Sequence, residues 1–505
     1  MRFARLNLQL ILILSAISQL MTGCMVGPNF HAQPAPKVDS YTASKMPKQT
    51  VQANKTNVGK SQRFMIGADI PADWWHLYHS RQLNDLIERG LANSPTLASA
   101  QAALRQADEA LAAQIGNLLF PAVNGVFSGQ RQQFAGSTLN NDFPSSIFNL
   151  FNATVNVTYT LDVFGGSRRQ IEAARAAVNY QQYELIASYL TLTSNIATTA
   201  VAVSAFNEKI IATKALVKAQ RDQLAIIRQQ FNLGGASEET VLSQQTLVEQ
   251  TAATIPVYEQ NLARAQHALA VLVGELPSTK LPIIKLSDFN LPKNIPVTVP
   301  SNLVNQRPDV QASSALLHYA SAEIGVATAN LLPQFSLSGA YGWSGGVPSS
   351  LFESINKTWN FGATLSQPFF HGGALLAARR QAIAAYDQAF ASYKQTVLQA
   401  FANVADSLRA IENDAKQFKA LDLAEKAARK NVKLTRAQYQ LGGVDYLTLL
   451  TAEQQYQETV IARIQAQAAR YNDTTALFQA LGGGWWNRKT GFCDLGRNVA
   501  PEKCG

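Results

Sequence analysis

The sequence predicts an α+β membrane protein built twice over, in which long coiled-coil helices join short two-faced strands that several chains must share. Three observations lead there. Residues 151–164 read FNATVNVTYTLDVF, apolar and polar side chains alternating with period two, the mark of a strand with one greasy and one wet face. Most of the remaining chain is rich in Ala, Gln and Leu, which suit helices. The whole arrangement then recurs at an offset of 204–212 residues.

The chain opens MRFARLNLQLILILSAISQLMTGC, with Arg2 and Arg5, an apolar core, and small residues before Cys24. This is the layout of a secretory signal peptide over residues 1–23. L-M-T-G-C resembles a bacterial lipobox, with Met21 where Leu is usual. The resemblance implies that Cys24 becomes the acylated first residue, carrying N-acyl and diacylglycerol lipid. An ordinary signal peptide with an incidental Cys is the alternative. Met25 stands where an Asp often marks inner-membrane retention, so the outer membrane is favoured. Residues 24–70, rich in Pro, Gln, Lys and Ser, read as an extended tether behind the anchor. Formal charge is +9, scattered and without a nucleic-acid motif, which points to solvated helix faces. Charged residues are only 15%, yet no internal stretch of ~20 apolar residues offers a bilayer-spanning helix.

The duplication is read from paired segments. LANSPTLASAQAALRQADEALAAQIGNLLFP at 91–121 parallels LVNQRPDVQASSALLHYASAEIGVATANLLP at 303–333. PSSIF recurs as PSSLF, and FNLGGASEETVLSQQ at 231–245 recurs as YQLGGVDYLTLLTAE at 439–453. The predicted organisation is therefore a first repeat over 71–277, a Pro-rich connector over 278–302, a second repeat over 303–484 and a tail over 485–505. Each repeat runs helix, strand, loop, strand, long helix, LGG turn, shorter helix. PAVNGVFSG and PQFSLSGAYGWSG supply the first strands, FNATVNVTYTLDVF and WNFGATLSQPFF the second. Residues 373–440 are long enough for a helix of ~100 Å at 1.5 Å per residue. Their 3/4-spaced stripe, from Ile383 through Tyr393, Val397 and Val404 to Ile411, predicts coiled-coil packing.

Four amphipathic strands cannot close a barrel, since about eight is the smallest number that closes round packed side chains. Open edges are not tolerated in lipid, so chains must pool their strands. Two chains make a filled, narrow barrel of eight strands; three make twelve and leave room for water. In such a shared barrel with room for water, Asn152, Thr154, Asn156, Thr158 and Thr160 face the wet lumen, and the apolar residues between them face lipid.

The lipobox followed by CMVGPNF, then PADWWHLYHSRQLNDLIERGLANSPTL, the doubled LGG turns and the closing ALGGGWW resemble the NodT-type outer-membrane factor lipoproteins, TolC-like channels of tripartite efflux systems. The match covers nearly the whole chain. It implies a homotrimer in which four strands per protomer make a shared transmembrane β-barrel above a long α-helical barrel. It also implies a periplasmic membrane-fusion adaptor and an inner-membrane transporter, often of the resistance-nodulation-division class, with the channel passively conducting small molecules or drugs. Gly234, Gly235, Gly442 and Gly443, which permit φ > 0 at the reversals, become the adaptor-facing helix tips. In related channels an Asp follows the LTLL stretch and rings the periplasmic entrance; here that position is Thr451, and only the Leu role transfers, to Leu447. Asp445 and Glu453 are nearby acids able to serve instead, or to be plain helix-surface acids.

No P-loop, dinucleotide fingerprint or Cys/His nucleophile context accompanies this, so neither catalysis nor a cofactor is predicted. His76 and His79 in WWHLYH read as packing rather than metal ligation. Cys493 and Cys504 are candidates for a disulfide in an oxidising periplasm. Rival readings are the outer-membrane channel of a type I protein secretion system, a structural coiled-coil envelope lipoprotein and an envelope enzyme. The second leaves the four amphipathic strands unexplained, and no residue supports the third.

Overall fold

The computed structural model describes residues 25–135 and 145–488; the signal peptide, Cys24, Cys493 and Cys504 lie outside the described residues. Within them each repeat unrolls in the same order. The first has α1 (Arg81–Asn93), α2 (Pro95–Leu119), β2 (Ala122–Phe134), β3 (Ser146–Leu161), α3 (Gly166–Asn232) and α4 (Glu238–Leu272). The second has α5 (Pro300–Gln306), α6 (Pro308–Ala329), β5 (Gln334–Gly345), β6 (Lys357–Ser366), α7 (Ala374–Gln440) and α8 (Tyr446–Ala480). The long helices are 67 residues in both copies and the shorter ones 35. These two helix lengths were thus kept through the duplication to the residue, whereas the paired strands and the helices before them differ in length.

The chain divides into two compact units. Of the described residues, one contains 25–33, 103–135, 145–181 and 312–394. Its centre is a four-stranded antiparallel sheet in the order β2-β3-β5-β6, so the two hairpins meet through β3 and β5. Both outer strands, β2 and β6, keep a free edge in the single chain. The strand residues 151–161 pair with 335–345 throughout, and the predicted alternation carries across the sheet because paired residues share a face.

The other unit contains 34–102, 182–311 and 395–488. It is a helical body whose core is knit by aromatics. Trp74 and Tyr78, from the 3-10 segment Trp74–Tyr78, pack with Phe289, Tyr471 and Phe478, and all five are at most 1% exposed. The Tyr471 hydroxyl donates to the Phe289 carbonyl at 2.8 Å, and the Tyr78 hydroxyl to the Tyr471 carbonyl at 2.9 Å, so the polar ends of these rings are satisfied where they are buried. The predicted coiled-coil stripe is buried at Tyr393 in the sheet-bearing unit and at Val397, Val404, Leu408 and Ile411 in the helical one. An apolar stretch of α3 has the length and composition of a membrane span, but 61% of it is buried in protein, as a core helix requires.

Residues 34–66 of the extended segment are held against the helices. Arg409 donates to the Ser44 carbonyl at 2.6 Å, Asn54 to Asp422 at 2.8 Å, and the buried Arg470 to Gln62 at 3.0 Å. Strand β1 (Arg63–Ile66) then pairs in parallel with β4 (Asn294–Val297). The polar composition of this segment satisfies polar groups of the helices, over sequence distances up to 412 residues. The Pro-rich connector is likewise half core: Leu286, Phe289, Leu291, Ile295 and Val297 are buried.

Candidate functional site

The first candidate surface is the sheet. Register places Asn124, Asn156, Ala340 and Asn360 in one row, and Thr160, Ser336 and Thr364 in another. A third row is hydrogen bonded across three strands: Asn152 donates to Ser128 at 3.3 Å and accepts from Ser344 at 2.8 Å. Thr154 and Thr158 share this face. The opposite face has rows Val123–Val157–Gly339–Phe361 and Gly125–Val155–Tyr341–Trp359. Trp359 and Phe361 are three-quarters exposed in the single chain. Among the described strand residues the polar face carries amides and hydroxyls but no charge; Arg131 and Lys357 fall on the apolar face, toward the loop ends. One face therefore suits water and the other hydrocarbon, the two-sided character of a transmembrane barrel wall.

The helix reversals form the second surface. Gly234 (φ +77°) and Gly442 (φ +74°) adopt the left-handed conformation just past α3 and α7. Gly235 N–H then reaches the Gln230 carbonyl at 2.8 Å, and Gly443 N–H the Gln438 carbonyl at 2.8 Å, closing two equivalent Schellman turns. Only the first glycine of each pair needs φ > 0. A Cβ at Gly235 or Gly443 meets nothing nearer than 3.4 Å. Leu233 and Leu441, immediately before them, are 87% and 88% exposed, leaving a bare apolar side chain on each tip.

The entrance candidates separate. Leu447 is exposed, and the Thr451 hydroxyl, also exposed, donates to the Leu447 carbonyl at 2.9 Å. Asp445 is the N-cap of α8: its carboxylate accepts the Thr448 N–H at 2.9 Å, and its bonds to the Thr448 hydroxyl and N–H hold its pKa below the usual range. Glu453 is 3% exposed and turned into the helix pair, where Arg436 donates to it at 2.7 Å. Neither acid therefore stands free in the chain: one completes a helix end, the other balances a guanidinium. Arg436 escaped the sequence reading, although Arg228 and Gln245 repeat the pair at the same spacing in the first copy, 3.2 Å apart. Nearby, the Tyr446 hydroxyl donates to Gln244 at 2.7 Å; burial pushes its pKa up, and Glu453 adds to the shift.

His76 and His79 are exposed, whereas their neighbours Trp74, Trp75 and Tyr78 are buried. Among the described residues no group of three or more His, Cys, Asp or Glu side chains is placed to hold a metal ion.

Comparison with known proteins agrees with this geometry. The family model described as "Outer membrane efflux protein" matches residues 86–275 and 299–483, one match per repeat. The pyoverdine export outer membrane protein OpmQ of Pseudomonas aeruginosa is 28% identical over 428 residues, covering 83% of this chain and 89% of that protein. Nodulation protein T of Rhizobium leguminosarum bv. viciae is 28% identical, with 92% of each chain covered. The solved structure of the outer-membrane channel OprN superposes with a TM-score of 0.82 at 26% identity, covering 92% of this chain and all of that one.

Proposed function

This chain belongs to the outer membrane efflux protein family, and from that premise we propose that it is the exit duct of a tripartite efflux pump. Its fold is that of a homotrimeric outer-membrane channel, each copy giving four strands to a shared β-barrel and long helices to an α-barrel. The family consists of channels rather than enzymes. In our reading the duct passively conducts small molecules or drugs received from a periplasmic membrane-fusion adaptor. An inner-membrane transporter, of the resistance-nodulation-division class, supplies the energy. The tips at Leu233–Gly234 and Leu441–Gly442 meet the adaptor, and Leu447 and Thr451 border the entrance. Cys24 carries the acyl anchor, with the barrel as the main hold on the membrane, because a single acyl chain gives only marginal attachment.

The observation that carries this reading is the sheet: an uncharged polar face backed by an aromatic and aliphatic one, with two free edges. Such a sheet is stable in lipid only when closed with other copies, and closing it encloses its polar face. Gene deletion followed by a broad panel of toxic compounds tests efflux; unchanged susceptibility to every compound would argue against it. Planar-bilayer recording tests conduction. Val157→Lys puts a charge on the hydrocarbon face, at a cost of about 2–4 kcal/mol near the bilayer centre, whereas Thr158→Lys places it in water. The first variant is expected to lose most of its heat-stable trimer and the second to retain it; equal loss would reverse the assignment of faces.

A further inference from the structure

The hydrocarbon face of the sheet bears two cations that the channel reading does not use. Arg131 lies on β2 and Lys357 on β6; both are exposed, and neither forms an ion pair among the described residues. Both stand at the loop end of their strands, since β2 follows α2 and β6 precedes α7. The same level carries aromatics on the same face. Trp343 pairs with Lys357 and Tyr341 with Trp359, and a girdle of aromatic residues marks the headgroup region of a barrel wall. In the single chain the two cations belong to opposite edges of the sheet.

Closing the barrel brings those edges together, β6 of one protomer running antiparallel to β2 of its partner. Across the sheet each strand slips toward the helix end. The row of Phe127 passes through Ala153 and Trp343 to Lys357, where β6 begins, although β2 runs on to Phe134. A tilted barrel requires such a stagger. Levelling the loop ends while keeping like faces together sets Lys357 opposite Gln133 of the partner subunit. The hydrocarbon-facing pairs are then large on small: Phe361 against Gly129, Ala363 against Phe127, Leu365 against Gly125. A Cβ on Gly125 would meet nothing within 4 Å, so room is open there, and one on Gly129 would lie 2.9 Å from the Phe151 ring, so an aromatic already covers that glycine. A slip of two residues would instead set Phe361 against Phe127 and Lys357 directly opposite Arg131, bulk on bulk and like charge on like.

We propose that Lys357 and Trp359 of one protomer, with Arg131 of the partner subunit, form a site for the phosphate of a glycolipid in the leaflet at the loop end. Each interface between protomers makes one such site. The register sets Arg131 of the partner subunit opposite Trp359 and on the diagonal to Lys357, ~7–8 Å away along the backbone. A phosphate between the two cations accepts from both, bidentate from the guanidinium and as a point-charge pair from the ammonium. The Trp359 ring, 75% exposed in the single chain, backs the guanidinium as a cation–π partner. Two like charges facing hydrocarbon repel, and an anion seated between them removes the repulsion. The occupant is a lipid because the face looks into the bilayer, where the rows of Phe361 and Leu365 continue below the site as a bed for acyl chains. This rests on the reading of the chain as an outer-membrane channel, which puts the loop end in the outward leaflet.

The test uses full-length trimers in phosphatidylcholine nanodiscs containing a minor fraction of lipid A, a bisphosphorylated glycolipid, read by native mass spectrometry. Wild-type trimers should retain lipid A and release its dephosphorylated form. Arg131→Ala and Lys357→Ala, scored on intact trimers, should each cut retention about tenfold, as loss of a charge-assisted hydrogen bond implies. Arg131→Lys, which keeps the charge and loses the fork, should fall between. Unchanged retention in both alanine variants, or equal retention of the dephosphorylated lipid, would overturn the proposal. Displacement of lipid A by inorganic phosphate alone would show a site for free anions and overturn the lipid assignment. The register is checked by mild oxidation: Ala363→Cys with Phe127→Cys should link protomers, and Phe361→Cys with Phe127→Cys should not; the reverse would remove the geometry on which the site stands. Planar-bilayer conductance of the wild-type trimer reports the channel reading separately. A trimer that never conducts refutes that reading, while lipid retention still reports whether the site exists.

Discussion

The two helix tips share one backbone and differ in charge. Both turn through a left-handed glycine, both close with an N–H to carbonyl bond of 2.8 Å, and both helices that follow are N-capped three residues later, by Ser237 and by Asp445. At a constant offset of 208, the second repeat places an acid where the first has none. Asp414 stands for Phe206, Asp445 for Ser237, Glu453 for Gln245 and Asp473 for Ala265. Arg228 faces an exposed amide in the first copy, while Arg436 faces a buried carboxylate in the second. Duplication thus preserved the positions that set chain direction and let the charges diverge. The second hairpin gained a buried ion pair at its tip, Arg436 with Glu453, while the first keeps an exposed one, Lys214 with Glu259.

The largest expected effect is one the tips should share. Gly442→Val or Gly234→Val forces a β-branched residue to φ near +75°, at about 2–3 kcal/mol of local stability. Amide exchange at the affected tip should rise by one to two orders of magnitude, with Gly235→Ala and Gly443→Ala nearly silent. Adaptor binding by the two valine variants should fall with trimers intact; a tolerated valine at either position would break the backbone equivalence.

Next comes the difference between the pairs. Glu453→Ala strands a guanidinium that is 34% exposed, so the cost falls between that of an exposed pair and a buried one, about 1–2 kcal/mol. Gln245→Ala should cost less than about 0.5 kcal/mol, and Glu453→Gln should make the second tip behave as the first. Thermal unfolding of the trimers measures all three. Single-channel conductance of Glu453→Gln and Asp445→Asn checks whether either acid also touches the ion path. An unchanged conductance in both would confine them to structure.

The pH dependences follow, and they run in opposite directions. Burial and the neighbouring Asp473 push the Asp414 carboxyl up to about 8, against the pull of Arg470. A raised folded-state pKa means that the contribution is complete below about pH 4 and is lost as pH climbs toward 8. The wild-type melting temperature should therefore fall over that interval, and Asp414→Asn should flatten the fall. Asp445 is the smallest case. Its pKa is depressed by its bonds to Thr448, so its cap persists above about pH 4 and fails as pH drops through the folded value. Below that point the start of α8 should fray in exchange experiments, corrected for intrinsic rate, more than the start of α4, whose Ser237 cap does not titrate and which loses only the weaker dipole contribution of Glu238 and Glu239.

Much of this was legible in the sequence because the signals were local or periodic. Asn152 to Thr160 alternate with apolar neighbours, and that alone assigned the faces of β3. The LGG pairs marked the reversals, and D-x-x-T at 445–448 carried a cap signal that the search for an entrance acid passed over. Glu453 reads from sequence as either an entrance acid or a helix-surface acid, because its burial depends on Arg436, 17 residues away across a helix turn. The strap at 25–66 looked like a tether because its partners, Arg169, Arg409 and Arg470, lie more than 100 residues further along the chain.

By itself the sequence determined the period of each element, the duplication and the need for other copies, since these depend on side-chain alternation and on chain geometry alone. Only the tertiary structure decided which charges are buried, which glycine of each pair is required, and where residues 25–30 are seated. The reason is physical: desolvation, ion pairing and close backbone approach are properties of groups brought together across long sequence separations, and no local pattern encodes their meeting.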